Sequence, residues 1–267
     1  MYRFFLTIFF TLMSLEVYAL KPIKEYMAYP SNLNIDYEEV YINDIELNYQ
    51  LCSWISKPEG SVKGVIIFSY GDYGNMSYFL NHVKFYTDLG YIVISYDYRG
   101  FGQSSNFPIQ ENFLFYPEFV EDLKTIISFA KEKYPDSEIG MVSLSMGTVI
   151  AAIAVQEEEI DFMINESAVY DTDQIISRLK SLKGKDIIMP NDINLLDLWN
   201  RIDTKMLFIS GKEDIITTVE DAETIVHQQP SSRLNLVYNG NHLGFLLSEN
   251  NNDEFVNKIK RFLNDDK

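Results

Sequence analysis

From about residue 64 onward, short apolar runs alternate with segments of helical spacing, and this rhythm limits the chain to few architectures. The runs at 64–69 (Val65, Ile66, Ile67, Phe68), 91–96, 139–142, 162–164, 206–210 and 234–238 are bounded by turn residues. Continuous apolar runs of that length read as strands buried on both faces. Helical segments are expected between them at 77–88, which stops at Gly90, at 117–131, at 146–155 and finally at 255–262. In the second of these Phe119, Leu123, Ile126, Ile127 and Ala130 share one face. Strand–helix alternation demands a mostly parallel central sheet flanked by helices, with right-handed crossovers, so the expected fold class is α/β. Upstream, residues 40–42 and 45–55 alternate apolar and polar side chains around a turn signal at Asn43-Asp44, as a hairpin joined antiparallel to the same sheet does. The interval from Ile164 to Met206 is longer than a crossover helix requires. Its helical stretches at 173–182 and 195–200, parted by Gly184 and Pro190, predict a small cap over the sheet's carboxyl edge at roughly residues 168–204.

The 267 residues carry 22 Lys+Arg against 39 Asp+Glu, a formal charge of -17. Nucleic acid and anionic lipid surfaces call for a basic face, so neither is an expected partner, and the charge pattern gives no sign of membrane contact. The N-terminus differs from the rest. Arg3 precedes an apolar run at 4–15, and Val17-Tyr18-Ala19 places compact residues where a signal peptidase reads. Residues 1–19 are therefore expected to be a secretory signal peptide, leaving 20–267 as an exported, periplasmic or secreted domain. The run falls short of the ~20 apolar residues a membrane span needs. Cys52 is the lone cysteine, which excludes an intrachain disulfide and suits a packed side chain.

In open α/β sheets ligands bind beyond the carboxyl ends of the strands, which directs attention to the residues just past each one. After the run at 139–142 comes Ser143-Leu144-Ser145-Met146-Gly147 and then a helix. A nucleophilic serine on a sharp strand-to-helix turn needs small residues two positions before and after it, and Ser143 and Gly147 meet that need. After 206–210 comes Gly211-Lys212-Glu213-Asp214, whose Asp214 is placed to reach a histidine; Glu213 is its nearest competitor, ahead of Asp203 and Asp221. After 234–238 comes Asn239-Gly240-Asn241-His242-Leu243-Gly244-Phe245. Of the three histidines, His82 and His227 fall in helical segments, so His242 is the candidate base. An oxyanion hole requires two fixed backbone N–H donors. Met146, directly after the nucleophile, supplies one, and Asp72 in the loop Tyr70-Gly71-Asp72-Tyr73-Gly74 the other, with Tyr73 as the alternative. Gly71 is expected to let the loop backbone approach closely.

These motifs resemble the α/β-hydrolase superfamily, and within it the serine esterase, monoacylglycerol lipase and serine aminopeptidase-like branch. Tyr70-Gly71-Asp72 stands where relatives carry His-Gly-x, and 97–104 (Asp-Tyr-Arg-Gly-Phe-Gly-Gln-Ser) matches the loop after the family's fourth strand. The order serine, acid, histidine is also the family's. Two positions depart from the pattern: Tyr70 replaces the histidine, and Ser143 replaces the first elbow glycine. The resemblance implies that Asp97 and Arg99 hold loop shape, and that Ser145, Asp214 and His242 cleave a carboxylic ester through an acyl-enzyme without cofactor or metal. The expected substrate is a small-molecule ester or a lipid- or acylglycerol-like one, since the cap segment is apolar (Ile175, Ile176, Leu179, Leu195, Trp199). The same side chains could equally seal the cap onto the core. The same three groups also serve a thioesterase, an acyltransferase or an aminopeptidase, and an inactive binding module with this fold is the alternative of a different class.

Overall fold

The computed structural model describes residues 19–44, 48–184, 186–190, 193–246 and 253–264. The expected signal peptide, apart from Ala19, therefore lies outside the described residues, as do 45–47 at the start of the expected second hairpin strand.

In chain order the strands are β1 (Lys21–Pro22), β2 (Asp36–Asp44), β3 (Tyr49–Lys57), β4 (Gly64–Ser69), β5 (Tyr73–Gly74), β6 (Tyr91–Tyr96), β7 (Ile139–Leu144), β8 (Phe162–Glu166), β9 (Lys205–Gly211) and β10 (Arg233–Tyr238). The α-helices are α1 (Leu80–Asp88), α2 (Pro117–Lys133), α3 (Met146–Ala154), α4 (Thr172–Lys183), α5 (Leu195–Asn200), α6 (Val219–Val226) and α7 (Asp253–Asn264). Eight strands form one sheet in the order β10-β9-β8-β7-β4-β6-β3-β2. From β6 to β10 every pairing is parallel, and β3 joins β6 antiparallel. Parallel neighbours need a crossover of a dozen or more residues, and the helices supply it. β4, β6, β7 and β8 are buried along their whole length, as continuous apolar runs require. Each fully buried Val, Leu, Ile or Phe stabilises the fold by about 1.5–3 kcal/mol.

The hairpin turn is displaced from its expected place. Asn43 and Asp44 are still in β2, paired with Gln50 and Tyr49, so the chain reverses after Asp44. Asn48, with φ 52°, supplies the left-handed residue that closes it. The segment between β8 and β9 also divides differently from the expected cap. α5 lies against α3 and α6; its Trp199 is fully buried, meets Phe208 of β9 edge-on and donates Nε1–H to the Val169 carbonyl at 2.9 Å. α5 is thus the crossover helix, and α4 alone is the addition. Ile175, Leu179 and Leu195 are buried as well, so these apolar residues seal helices onto the body. α4 is pinned by Arg178, whose guanidinium pairs with Asp221 and donates to the Ile216 carbonyl at 3.0 Å.

A third element carries no sequence signal. Residues 19–29 run as a strap across the carboxyl edge of the sheet. Ala19 and Leu20 N–H both donate to the Glu111 carbonyl, at 2.7 and 3.0 Å. β1 pairs in parallel with β5, with Lys21 N–H on the Asp72 carbonyl and Ile23 N–H on the Gly74 carbonyl, both at 2.9 Å.

Arg233, the first residue of β10, is 1% exposed. Its guanidinium donates to the carbonyls of Ile225 (2.9 Å), Trp199 (2.6 Å) and Ile202 (3.0 Å), closing the C-terminal ends of α5 and α6 over the sheet. Helix-end carbonyls lack intrahelical donors and attract a cation. Arg233→Ala removes three buried charge-assisted hydrogen bonds at once and is expected to cost about 3 kcal/mol of stability, measured as a lower urea midpoint with unchanged slope.

Candidate active site

β7 ends at Leu144 and α3 begins at Met146, so Ser145 alone makes the turn between them. It does so at φ 51° and ψ -118°, a backbone state that costs a non-glycine residue about 1–3 kcal/mol and is held by its surroundings. Ser145 N–H donates to the Glu166 carbonyl at 3.1 Å, and the Ser145 carbonyl accepts from Thr148 N–H at 2.9 Å. The second small position is steric: a Cβ on Gly147 would lie 2.3 Å from the Ser69 carbonyl oxygen and 2.7 Å from that of Tyr70. The first tolerates serine because Ser143 turns its hydroxyl sideways and donates to Asn165 Oδ1 on β8 at 2.6 Å.

Asp214 lies beyond the end of β9 with its side chain fully buried. Ile216 and Thr217 N–H donate to Oδ1 at 2.9 and 3.0 Å, and Thr217 Oγ1–H donates to Oδ2 at 2.8 Å. Burial works to raise this carboxyl, but the His242 hydrogen bond and charge and the Thr217 donors outweigh it, holding it below the ordinary carboxylate range. Glu213 is exposed, and Asp221 is occupied by Arg178 and the cap of α6. Asp203 precedes β9.

His242 joins the other two. Its Nδ1 is 2.8 Å from Asp214 Oδ2 and its Nε2 is 2.9 Å from Ser145 Oγ. An ionised carboxylate only accepts, so Nδ1 carries the proton and Nε2 presents its lone pair to the serine hydroxyl. The structure thus brings together three residues separated by up to 97 positions. His82 is elsewhere, on α1, with Nε2 3.1 Å from Glu166 Oε2, and His227 caps the end of α6.

The two expected oxyanion donors, Met146 and Asp72, lie in the residues just beyond β7 and β4. Met146 opens α3, where the first amides have no intrahelical acceptor. Gly71 faces Ser145: a Cβ on it would lie 3.5 Å from Ser145 Cβ and 3.9 Å from Leu243 Cδ1. Those are ordinary contact distances, so glycine there keeps space open beside Ser145 rather than relieving a clash, a correction to its expected role. The strap holds the Asp72 carbonyl through Lys21 N–H, and Tyr70, standing in the usual histidine's place, anchors the loop from beneath. The Tyr70 hydroxyl donates to Asp97 Oδ1 at 2.9 Å, and its ring stacks on Phe79 with centroids 5.2 Å apart. Asp97 also accepts from Met76 N–H at 2.8 Å and from the Tyr26 hydroxyl at 2.7 Å. Its carboxyl is pushed up to about 6 by complete burial, with those donors opposing the rise. Arg99 braces the neighbouring loop through Asp122, with Nε and N–H donating at 2.7 and 2.8 Å.

Several residues of the site escape the motif reading. Thr217 lies in the loop after Asp214, and Glu166 and Ser167 lie at the carboxyl end of β8. The same rule that led to Asp214 and His242, inspection of the residues immediately beyond each strand, leads to both places. Among the described residues no group of three or more His, Cys, Asp or Glu side chains is arranged to hold a metal ion.

The sheet order, the elbow and the chain order of the converging side chains define the class: the chain has the α/β-hydrolase fold. Residues 60–191 match the family model described as serine aminopeptidase, S33. An esterase of Pyrococcus furiosus superposes with a TM-score of 0.75 at 22% identity, covering 94% of this chain and 98% of that one. The α/β hydrolase GrgF of a Penicillium species superposes at 0.64 with 16% identity, covering 86% and 98%. An uncharacterized 31.7 kDa protein of the traX–finO intergenic region of Escherichia coli is 28% identical over 142 residues, and the match spans 51% of this chain and 48% of that protein.

Proposed function

We propose that the protein is a serine hydrolase that cleaves a carboxylic ester through an acyl-enzyme, with Ser145 as nucleophile, His242 as general base and Asp214 as its orienting acid. One observation carries the reading: a single imidazole lies within hydrogen-bond reach of both the strained Ser145 hydroxyl, at 2.9 Å, and a buried carboxylate, at 2.8 Å. Ser145 Oγ attacks the acyl carbonyl carbon while its proton passes to His242 Nε2. The N–H groups of Met146 and Asp72 hold the oxyanion, each such donor lowering the barrier by about 3 kcal/mol. His242 then protonates the departing alkoxide, and water activated by the same nitrogen releases the acid.

An ester with an apolar acyl group, lipid- or acylglycerol-like, is favoured by the side chains around the nucleophile. Leu243 packs beside the open space at Gly71, and Ile215, next to Asp214, is 63% exposed. The Pyrococcus furiosus esterase and an acylaminoacyl peptidase from Pyrococcus horikoshii, both similar in fold, bracket the choice between ester and peptide. A peptidase for free N-termini needs a carboxylate for the ammonium. Of the carboxylates available for that ammonium, Asp186 pairs with Lys180 at 2.5 Å and Asp197 pairs with Arg201, whereas Asp173 stands exposed in the first turn of α4 and Asp192 lies outside the described residues. Export through residues 1–19 is part of the proposal. Among the described residues no helix is long and apolar enough to cross a membrane.

A fluorophosphonate probe is expected to label the purified protein at Ser145, and Ser145→Ala to abolish both labelling and turnover of p-nitrophenyl acyl esters. Labelling that survives the substitution moves the nucleophile elsewhere. Turnover of aminoacyl anilides in preference to the esters replaces the esterase reading with the peptidase one, and a folded protein with no turnover of either makes it a binding module.

A further inference from the structure

The loop that carries His242 has no regular structure of its own, yet its imidazole must hold its place between two partners. Three side chains hold its backbone. The Tyr238 hydroxyl donates to the Asn241 carbonyl at 2.6 Å and accepts Gly244 N–H at 2.8 Å. Glu166 Oε1 accepts Phe245 N–H at 3.2 Å. Ser167 Oγ accepts Leu243 N–H, the amide next to the histidine, at 3.2 Å. Ser167 then does something the other two do not: its hydroxyl donates to Asp214 Oδ2 at 3.1 Å, the same oxygen that His242 Nδ1 reaches at 2.8 Å. One buried hydroxyl, on a residue 1% exposed, therefore ties the acid to the loop of the base.

The backbone around it is strained to make this contact. Ser167 has φ 54° and Leu243 has φ 53°, left-handed values that neither residue type adopts freely. Ser167 N–H donates to the Ile209 carbonyl of β9 at 3.0 Å, which fixes the turn at the end of β8. The neighbouring Glu166 is fixed in turn: its carbonyl accepts Ser145 N–H at 3.1 Å and its Oε2 lies 3.1 Å from His82 Nε2. Strain held by long-range partners beside reacting groups is the mark of a functional constraint.

We propose that Ser167 is a positioning residue for the reaction, which fixes the Asp214–His242 hydrogen bond by holding the carboxylate oxygen and the histidine loop with one hydroxyl. The proposal rests on the serine-hydrolase reading above. Its chemistry is specific. The Ser167 proton withdraws charge from Oδ2, so its loss makes Asp214 a stronger acceptor and stabilises the imidazolium over the neutral ring. The Leu243 amide loses its acceptor at the same time, and the imidazole loses its fixed approach to Ser145.

The experiment compares wild type, Ser145→Ala, Ser167→Ala and Ser167→Gly on one p-nitrophenyl ester, with active sites counted by fluorophosphonate labelling. Glycine accepts the left-handed backbone and separates the loss of the hydroxyl from backbone strain. Both Ser167 variants are expected to lose ~10–100-fold in kcat, the range for a hydrogen bond to a charged group, with KM within about twofold, the signature of an interaction that matters in the transition state. The acidic limb of their kcat/KM profile moves to higher pH, which a merely structural role does not produce. Should Ser167→Ala fail to fold, Ser167→Gly decides. Wild-type kcat with an unmoved acidic limb in a folded Ser167 variant overturns the inference while leaving the hydrolase reading intact. An active Ser145→Ala overturns the hydrolase reading itself.

Discussion

Replacing Asp214 by asparagine is expected to lower kcat about ten-thousand-fold, the loss typical of a triad acid exchanged for its amide, while the protein stays folded. The hydrogen-bond donors around the carboxylate dictate this. Oδ1 of Asp214 receives two backbone N–H groups, from Ile216 and Thr217, so an asparagine must place its oxygen there. Its amide nitrogen is then forced onto the Oδ2 side, facing His242 Nδ1. A nitrogen donor at that point demands an acceptor, so the imidazole shifts its proton to Nε2. That nitrogen points at Ser145 Oγ and can no longer take a proton from it. Steady-state kinetics of Asp214→Asn, with circular dichroism as the check on folding, test this. Activity within tenfold of wild type removes Asp214 from the mechanism.

Gly147→Ala is the second large effect. A methyl at this position falls 2.3 Å from the Ser69 carbonyl oxygen and 2.8 Å from the carbonyl carbon behind it. Both are backbone atoms at the end of β4, which is locked to β7 by register from Val65 to Ser69, so no side-chain rotation relieves the clash. The elbow and the loop at Tyr70–Asp72 must separate. The expected cost is about 3 kcal/mol of stability, the upper range for overpacking, and, on the proposed mechanism, at least ~100-fold in kcat, because the proposed oxyanion donors on the two loops are moved apart. Chemical denaturation and single-turnover acylation by a p-nitrophenyl ester measure the two losses separately. A variant of unchanged stability and rate would mean that β4 and α3 are not packed as described.

The sequence carried the parts of this molecule that depend on near neighbours. A strand buried on both faces has to be an unbroken apolar run, so β4, β6, β7, β8 and β9 can be read directly. Alternation of such runs with helices leaves only a parallel sheet with crossovers. Ser145, Asp214 and His242 were legible for the same reason: each stands just beyond the end of a strand, and the fold brings those ends to one edge. Boundaries were less accurate where a short local signal competed with sheet pairing. Asn43-Asp44 looks like a turn, but pairing with Gln50 and Tyr49 extends β2 through it.

What the tertiary structure alone decided involves contacts between residues far apart in the chain whose types are ordinary in place. Ser167 meets Leu243 across 76 positions and Glu166 meets Phe245 across 79, and a serine after a strand carries no mark of either contact. The strap at 19–29 has neither strand nor helix periodicity, because it pairs through backbone groups that every residue carries. Trp199 could have faced a substrate or the core with the same composition around it, and its contact with Phe208 places it in the core. Local pattern selects elements and the sheet edge where Ser145, Asp214 and His242 meet; the hydroxyls and carbonyls that align those three side chains are selected only once the chain has closed on itself.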